Sequence, residues 1–143
     1  MTINVVVVDD HTLVREGVAR LLQLEDDLAV IGEASSVSDA RGLLARTNPD
    51  VMLVDVSMPD GSGLGLTRTA RAAHPGLGIV VLTMHNDDGT LLEALDAGAS
   101  ALVLKSAAAA EVVDAVRRAA VSPGTFTATG LAAALRRASA PRP

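Results

Sequence analysis

The sequence predicts an α/β fold, a parallel sheet with helices on both faces. Three observations lead there. Short apolar runs alternate with segments of helical period five times in succession along 143 residues. The runs are rich in Val and apolar almost throughout, as in strands covered on both sides, instead of alternating apolar with polar. The connections between them are short and marked by Pro, Gly and Asn, which suits helical crossovers between parallel strands.

Each element can be justified in turn. Residues 3–8, Ile-Asn-Val-Val-Val-Val, form the first strand. Residues 12–24 follow as a helix with Val14, Val18, Leu21 and Leu22 on one face. Residues 28–34 are the second strand, and 37–46 the second helix, stopped by Asn48-Pro49. Residues 51–56 are the third strand, apolar except for Asp55. After Pro59-Asp60-Gly61, residues 63–73 are helical despite Gly65, and His74-Pro75-Gly76 breaks the chain. Residues 79–82 are the fourth strand, 88–97 the fourth helix closed by Gly98, 101–104 the fifth strand and 107–120 the fifth helix. Ser122-Pro123-Gly124 ends the regular pattern. Residues 1–121 are thus read as one domain. Residues 122–143 are read as a linker, with a short Ala-rich helix over 128–138 and a basic character from Arg136, Arg137 and Arg142.

Composition narrows the function. Lys and Arg total 12 against 17 Asp and Glu, a net charge of −5, so neutralising many phosphates of a nucleic acid is not expected of this chain. There is no Cys, which excludes disulfides, thiolate nucleophiles and cysteine-held metal clusters. Phe126 is the only aromatic among Phe, Trp and Tyr, so a stacking platform for bases or flavins is absent. No stretch approaches the ~20 apolar residues of a membrane span. The first residues lack the pattern of a secretory signal, and the expectation is a cytoplasmic protein.

In open α/β sheets, ligands sit beyond the carboxyl ends of the strands. The first strand ends in Asp9-Asp10, the third in Asp55, the fourth in Thr83 and the fifth in Lys105, whereas the second ends in Glu33-Ala34. Singly, these have plain structural readings: helix caps for Asp9 and Asp10, a salt bridge for Asp55, a turn hydroxyl for Thr83, a strand-end lysine for Lys105. Together they bring converging carboxylates to one sheet edge. Their repulsion suits a hard divalent cation such as Mg²⁺. A metal, a lysine and a hydroxyl donor around a carboxylate make a phosphoryl site, with the already ionised carboxylate able to attack phosphorus.

The set Asp9-Asp10, Asp55, Thr83, Lys105, in that order and spacing, resembles the receiver domain of bacterial two-component response regulators. Asp55-Val56-Ser57-Met58-Pro59-Asp60-Gly61 is similar to the loop that follows the phosphoacceptor in that family. Val81-Leu82-Thr83-Met84-His85 and Ala97-Gly98-Ala99 resemble its NarL/FixJ-like branch, which carries a LuxR-type helix-turn-helix. The resemblance covers residues 3–121. It implies a flavodoxin-like (βα)5 doubly wound parallel sheet of five strands in order 2-1-3-4-5. It implies Asp55 as phosphoacceptor, served by a sensor histidine kinase or a small phosphodonor. Asp10, Asp55 and the main-chain carbonyl of Ser57 would hold Mg²⁺, with Asp9 supporting it, and Thr83 and Lys105 would bind phosphoryl oxygens. Movement of Thr83 would carry the loop after the fourth strand and the face made by the fourth helix, fifth strand and fifth helix, so that the domain switches, with at most slow self-phosphorylation and dephosphorylation. Homodimers are an expected partner state. DNA would be reached only through a helix-turn-helix domain outside these residues, either because the receiver is separated from it or because the receiver stands alone, and no membrane is expected.

Leu102 stands three positions before the lysine, where the family often has an aromatic switch residue, and Ser106 replaces a frequent proline. Coupling would then run through Thr83, backbone movement and aliphatic repacking. His11 and His85 flank the expected pocket, and Arg15, Arg117 and Arg118 are read as interface or solvent-facing residues. Three rivals remain. A phosphatase using an aspartate nucleophile would need a second acid where Ser57 stands. A flavin or nucleotide carrier would need ring-stacking aromatics. A receiver governed by a ligand or a protein, not by phosphorylation, is the alternative that Leu102 leaves open.

Overall fold

A computed structural model describes residues 1–85 and 87–139. Its main sheet has strands β1 (Ile3–Val8), β2 (Leu28–Ala34), β3 (Val51–Asp55), β4 (Gly78–Thr83), β5 (Ala101–Leu104) and β6 (Thr127–Ala128), all parallel, in the order β2-β1-β3-β4-β5-β6. The helices are α1 (Thr12–Gln23), α2 (Val37–Thr47), α3 (Gly63–Ala73), α4 (Asp88–Ala97), α5 (Ala109–Val121) and α6 (Leu131–Ser139). The expected order of the first five strands is therefore found, and β6 extends the sheet at the β5 edge. A separate hairpin pairs Ser57–Met58 with Gly61–Ser62. Two-residue strands carry no readable period, which is why the sequence shows neither.

Side chains leave a strand alternately to its two faces. Val6, Val8, Met52, Val54, Ile79 and Val81 face one layer, made by α2, α3 and α4. Val5, Val7, Val51, Leu53, Val80 and Leu82 face the other, made by α1 and α5. The central strands are fully buried, which explains their nearly unbroken apolar runs.

Several boundaries differ from expectation. Val14, in the first turn of α1, stays partly exposed, while Leu22, with Val18 and Leu21 beside it, packs on the core as expected and Ala19 joins them. β3 stops at Asp55: the Val56 N–H still donates to Leu82 O of β4 at 3.0 Å, but its carbonyl leaves the ladder and accepts from Gly63 N at 2.8 Å. A Cβ on Gly63 would collide with the Asp55 carbonyl oxygen, so this return of the chain needs glycine. α2 closes on Asn48 in the left-handed region (φ 49°) and α4 on Gly98 (φ 91°).

Within the segment 122–143 read as a linker, residues 122–139 pack onto the domain. Pro123 O accepts from Ser100 Oγ at 2.6 Å, and Thr127 N donates to Ser100 O at 3.0 Å. Ala134 is fully buried, with Phe126, Ala128 and Leu131 packed on the α2–α3–α4 layer. The helix starts at Leu131, not at 128, because Thr127 and Ala128 are taken by β6. Residues 140–143, with Arg142, lie outside the described residues.

Candidate phosphoryl and metal site

The chain reverses direction across the sheet between β1 and β3, and the carboxyl ends of those strands flank the resulting crevice. Asp9 and Asp10 follow β1, Asp55 ends β3, Thr83 ends β4 and Lys105 follows β5. Asp9, Asp55 and Thr83 are buried, whereas Asp10 keeps 31% of its side chain exposed at the mouth.

Lys105 reaches back across β4. Its Nζ lies 2.8 Å from Asp55 Oδ2 and 3.4 Å from Asp9 Oδ2. Desolvation pulls the lysine toward neutrality, but the hydrogen bond and charge of Asp55, with the charge of Asp9, outweigh it and hold the ammonium above the ordinary lysine range. One cation thus faces several acids. Oxygens of Asp9, Asp10 and Asp55 and a nitrogen of His11 lie within 4.8 Å of one another. Asp9 Oδ1 accepts from His11 N at 2.8 Å, and His11 Nδ1 stands 3.2 Å from Asp10 Oδ1. Yet Asp9 Oδ2 and Asp10 Oδ1 are buried oxygens that accept no well-formed hydrogen bond among the described residues, only the longer approaches of Lys105 Nζ and His11 Nδ1. Buried carboxylate oxygens so weakly paired carry a desolvation cost that a hard cation relieves. The residues present therefore fit a divalent metal.

Asp55 Oδ1 accepts the Ser57 N–H at 3.3 Å. Ser57 is exposed, in the hairpin beside the acids. The far end of that hairpin is tied down by Asp60, whose carboxylate accepts from Val37 N at 2.8 Å and Ser38 N at 3.0 Å at the start of α2. Those two donors hold the Asp60 carboxyl below the usual range.

Thr83 is brought to the same edge, but its hydroxyl is engaged in its own turn: it accepts from His85 N at 3.1 Å and lies 3.4 Å from His85 O. Behind it is a cavity of about 140 Å³, bounded among others by Leu102, Ala128 and Thr129.

Arg15 has a part that sequence reasoning missed. Its Nη1 donates to the Asp9 carbonyl at 2.8 Å and its Nε to Glu33 Oε1 at 3.2 Å, so the apparently bland end of β2 braces the acid loop. The available signal was its place in the first turn of α1, one helical turn after His11. Arg117 is likewise not a free surface residue. It is held by Asp27 and Glu25, both at 2.8 Å, which raise its already high pKa further. Arg118 pairs with Asp114 one turn away at 2.7 Å.

The family described as the response regulator receiver domain matches residues 5–117. The chain is 39% identical over 115 residues to the DNA-binding transcriptional activator DevR/DosR of Mycobacterium tuberculosis, covering 80% of this chain and 53% of that protein. It is 41% identical over 115 residues to the response regulator GacA of Pseudomonas syringae pv. syringae, covering 80% and 54%. Among solved structures, a LuxR-family two-component response regulator from Aurantimonas superposes with a TM-score of 0.87 at 32% identity, covering 96% of this chain and 98% of that one. The isolated REC domain of RcsB from Salmonella enterica serovar Typhimurium, solved with the phosphomimetic BeF3−, gives 0.79 at 30% identity, covering 90% and 94%. The chain spans about half the length of the curated relatives it matches.

Proposed function

The chain belongs to the response regulator receiver family, whose members are phosphorylation-controlled signalling switches and not classical enzymes, and on that premise we propose that Asp55 is the acceptor. The observation that carries this is the pairing of buried Asp55 with Lys105 at 2.8 Å, beside the unsatisfied oxygens of Asp9 and Asp10. One Asp55 oxygen would attack phosphorus. The P–N bond of a kinase phosphohistidine, or the P–O bond of a small acyl phosphate, breaks as the new P–O bond forms, and the leaving group keeps the electron pair.

Asp9, Asp10, Asp55 and the Ser57 carbonyl are the groups that would hold Mg²⁺. When bound, that ion supplies positive charge against the phosphoryl oxygens and the crowded carboxylates. Lys105 would transfer its hydrogen bond from Asp55 Oδ2 to a phosphoryl oxygen. The Thr83 hydroxyl would leave His85 N for another. Both moves replace existing hydrogen bonds by stronger, charge-assisted ones. Ser57 offers no carboxylate to activate water two residues from the acceptor, which fits a stored signal better than rapid hydrolysis.

No helix among the described residues is long and apolar enough to cross a membrane. We place the domain in the cytoplasm, with a histidine kinase as donor and homodimers as an output state. DNA binding would belong to a part of the protein outside this chain, as the relatives' greater length allows. Control by a ligand or partner in place of phosphorylation is favoured only by the cavity beside Leu102.

Intact mass after incubation with acetyl phosphate decides. The chain should gain one labile phosphoryl group with Mg²⁺ and none with chelator, and Asp55→Asn should gain none. A folded chain that stays unlabelled with Mg²⁺ overturns the proposal.

A further inference from the structure

Resting on the acceptor reading of Asp55, we infer that residues 126–139 are an intramolecular latch over the α4–β5 face, freed when Thr83 leaves its turn for a phosphoryl oxygen. The segment is held at two places of unequal strength. At the amino edge of the sheet, far from the acids, Pro123 O accepts from both Ser100 Oγ at 2.6 Å and Arg71 Nη2 at 3.1 Å. Arg71 also donates to Gly98 O and Pro75 O, each at 2.9 Å. This guanidinium, joined to carbonyls of three different loops, is a fixed anchor.

The distal hold is weaker and lies next to the switch. Arg137 on α6 grips Asp88 with both carboxylate oxygens, Nη2 to Oδ1 being 2.8 Å. Asp88 is the first residue of α4, a few positions after Thr83. Both side chains of the pair are well exposed, so water and salt compete with it. Its partner helix adds one fully buried side chain, Ala134, and the half-buried Leu131. A nine-residue helix with so small a footprint is near the limit of what packing holds.

The cavity behind Thr83 joins the two. Thr83 and His85 form one side of it, and Ala128 and Thr129, where the segment leaves β6, form another. Leu102 lies between them. A shift of Thr83 toward Asp55 enlarges the cavity that the start of the segment lines and moves the start of α4, which carries Asp88. The latch thus feels the same displacement at β6 and at Arg137. With it released, Ala128, Leu131 and Ala134 no longer cover the α4–β5 surface.

Hydrogen exchange by mass spectrometry on the 143-residue chain tests this, with beryllofluoride and Mg²⁺ as the phosphoryl mimic and ¹⁹F NMR reporting its binding. Binding should speed exchange in α6 about tenfold, as expected of a local opening, and leave β1 and β3 protected. Arg137→Glu alone should give fast α6 exchange without the mimic, and Asp88→Arg combined with Arg137→Asp should slow it again. Bound mimic with unchanged α6 exchange overturns the latch while the acceptor reading survives. Unchanged α6 exchange in Arg137→Glu overturns the distal hold. Absence of a bound ¹⁹F signal from the folded chain overturns the acceptor reading and the trigger with it.

Discussion

Replacing Lys105 by Met removes the cation that two buried carboxylates share while keeping a side chain of similar length. The distances of 2.8 Å to Asp55 and 3.4 Å to Asp9 correspond to gross attractions of about 6 and about 5 kcal/mol at an effective dielectric near 20. Burial of the charges offsets most of that, but removing one partner leaves the others uncompensated, at about 3–5 kcal/mol. The mouth at Asp10 admits water, which puts the loss near 3 kcal/mol, on the order of 1.5 M in urea midpoint for a slope of about 2 kcal/mol per M. Mg²⁺ should then restore more stability to the variant than to the parent, because no ammonium competes for the same oxygens. At ten times its dissociation constant the ion adds about 1.4 kcal/mol. The assay is urea unfolding followed by far-ultraviolet circular dichroism, since there is no Trp or Tyr to fluoresce. Equal midpoints for the two proteins, with equal response to Mg²⁺, would refute the claim that Lys105 neutralises the acid cluster.

Gly63→Ala places a Cβ against the Asp55 carbonyl. Overpacking of this kind costs about 1–3 kcal/mol, and phosphoryl labelling should fall along with the melting temperature. Arg15→Ala removes the brace on the Asp9 carbonyl. Mg²⁺ affinity by titration calorimetry should drop about tenfold or more, as for other outer-shell ligands, with Arg15→Lys recovering part. Asp60→Asn should lower the urea midpoint near neutral pH. Because the folded carboxyl lies below its unfolded value, the parent's advantage exists above the unfolded value and vanishes as pH falls through the folded one. Lys105 has the opposite sign. Its raised folded value gives stability that is complete below the unfolded lysine range and lost as pH rises through the folded one, so Lys105→Met should narrow its deficit in strongly alkaline titrations.

The central strands were legible because parallel strands buried on both faces must be apolar at every position, and Val5–Val8 and Val51–Val54 are; β2, at the edge, shows a weaker run broken by Glu33. The acid cluster was legible for the complementary reason. In such a strand, Asp55 has no role as packing, and its polarity signals a partner. What escaped was set by contacts between distant residues. Glu33 has no visible role in the sequence, because Arg15, which uses it, sits on the preceding helix α1, eighteen residues earlier. Asp60 acts on α2, more than twenty residues earlier in the chain, through Val37 and Ser38. Arg117 showed only a charge, whereas Asp27 and Glu25 are close only after β2 has folded beside β1. Ala and Arg carry little pattern, so the sequence of the tail suggests only a linker. Yet Ala134 is small enough to be buried completely against α4, where a larger residue would hold the helix off.

The absence of an aromatic at Leu102 changes where movement can go. In a close-packed core, displacement of one side chain must be taken up by another. Here the space behind Thr83 is already open, about 140 Å³, and no large ring waits to enter it. A departing Thr83 would thus meet little resistance from this side. What holds it is the hydrogen bond from His85 N and the joining of its carbonyl to Lys105 N at 2.8 Å. The same Lys105 carries the ammonium on Asp55. Main-chain pairing of β4 with β5 therefore links Thr83 and Lys105, the two groups proposed to bind phosphoryl oxygens, so a shift of either one is passed to the other through a single hydrogen bond. A switch built this way needs no rotating ring. Its stiffness lies in the strand ends, and Thr83→Ala should weaken the response of α4 while leaving phosphoryl uptake by Asp55 in place, an outcome that labelling and hydrogen exchange on the same sample would separate.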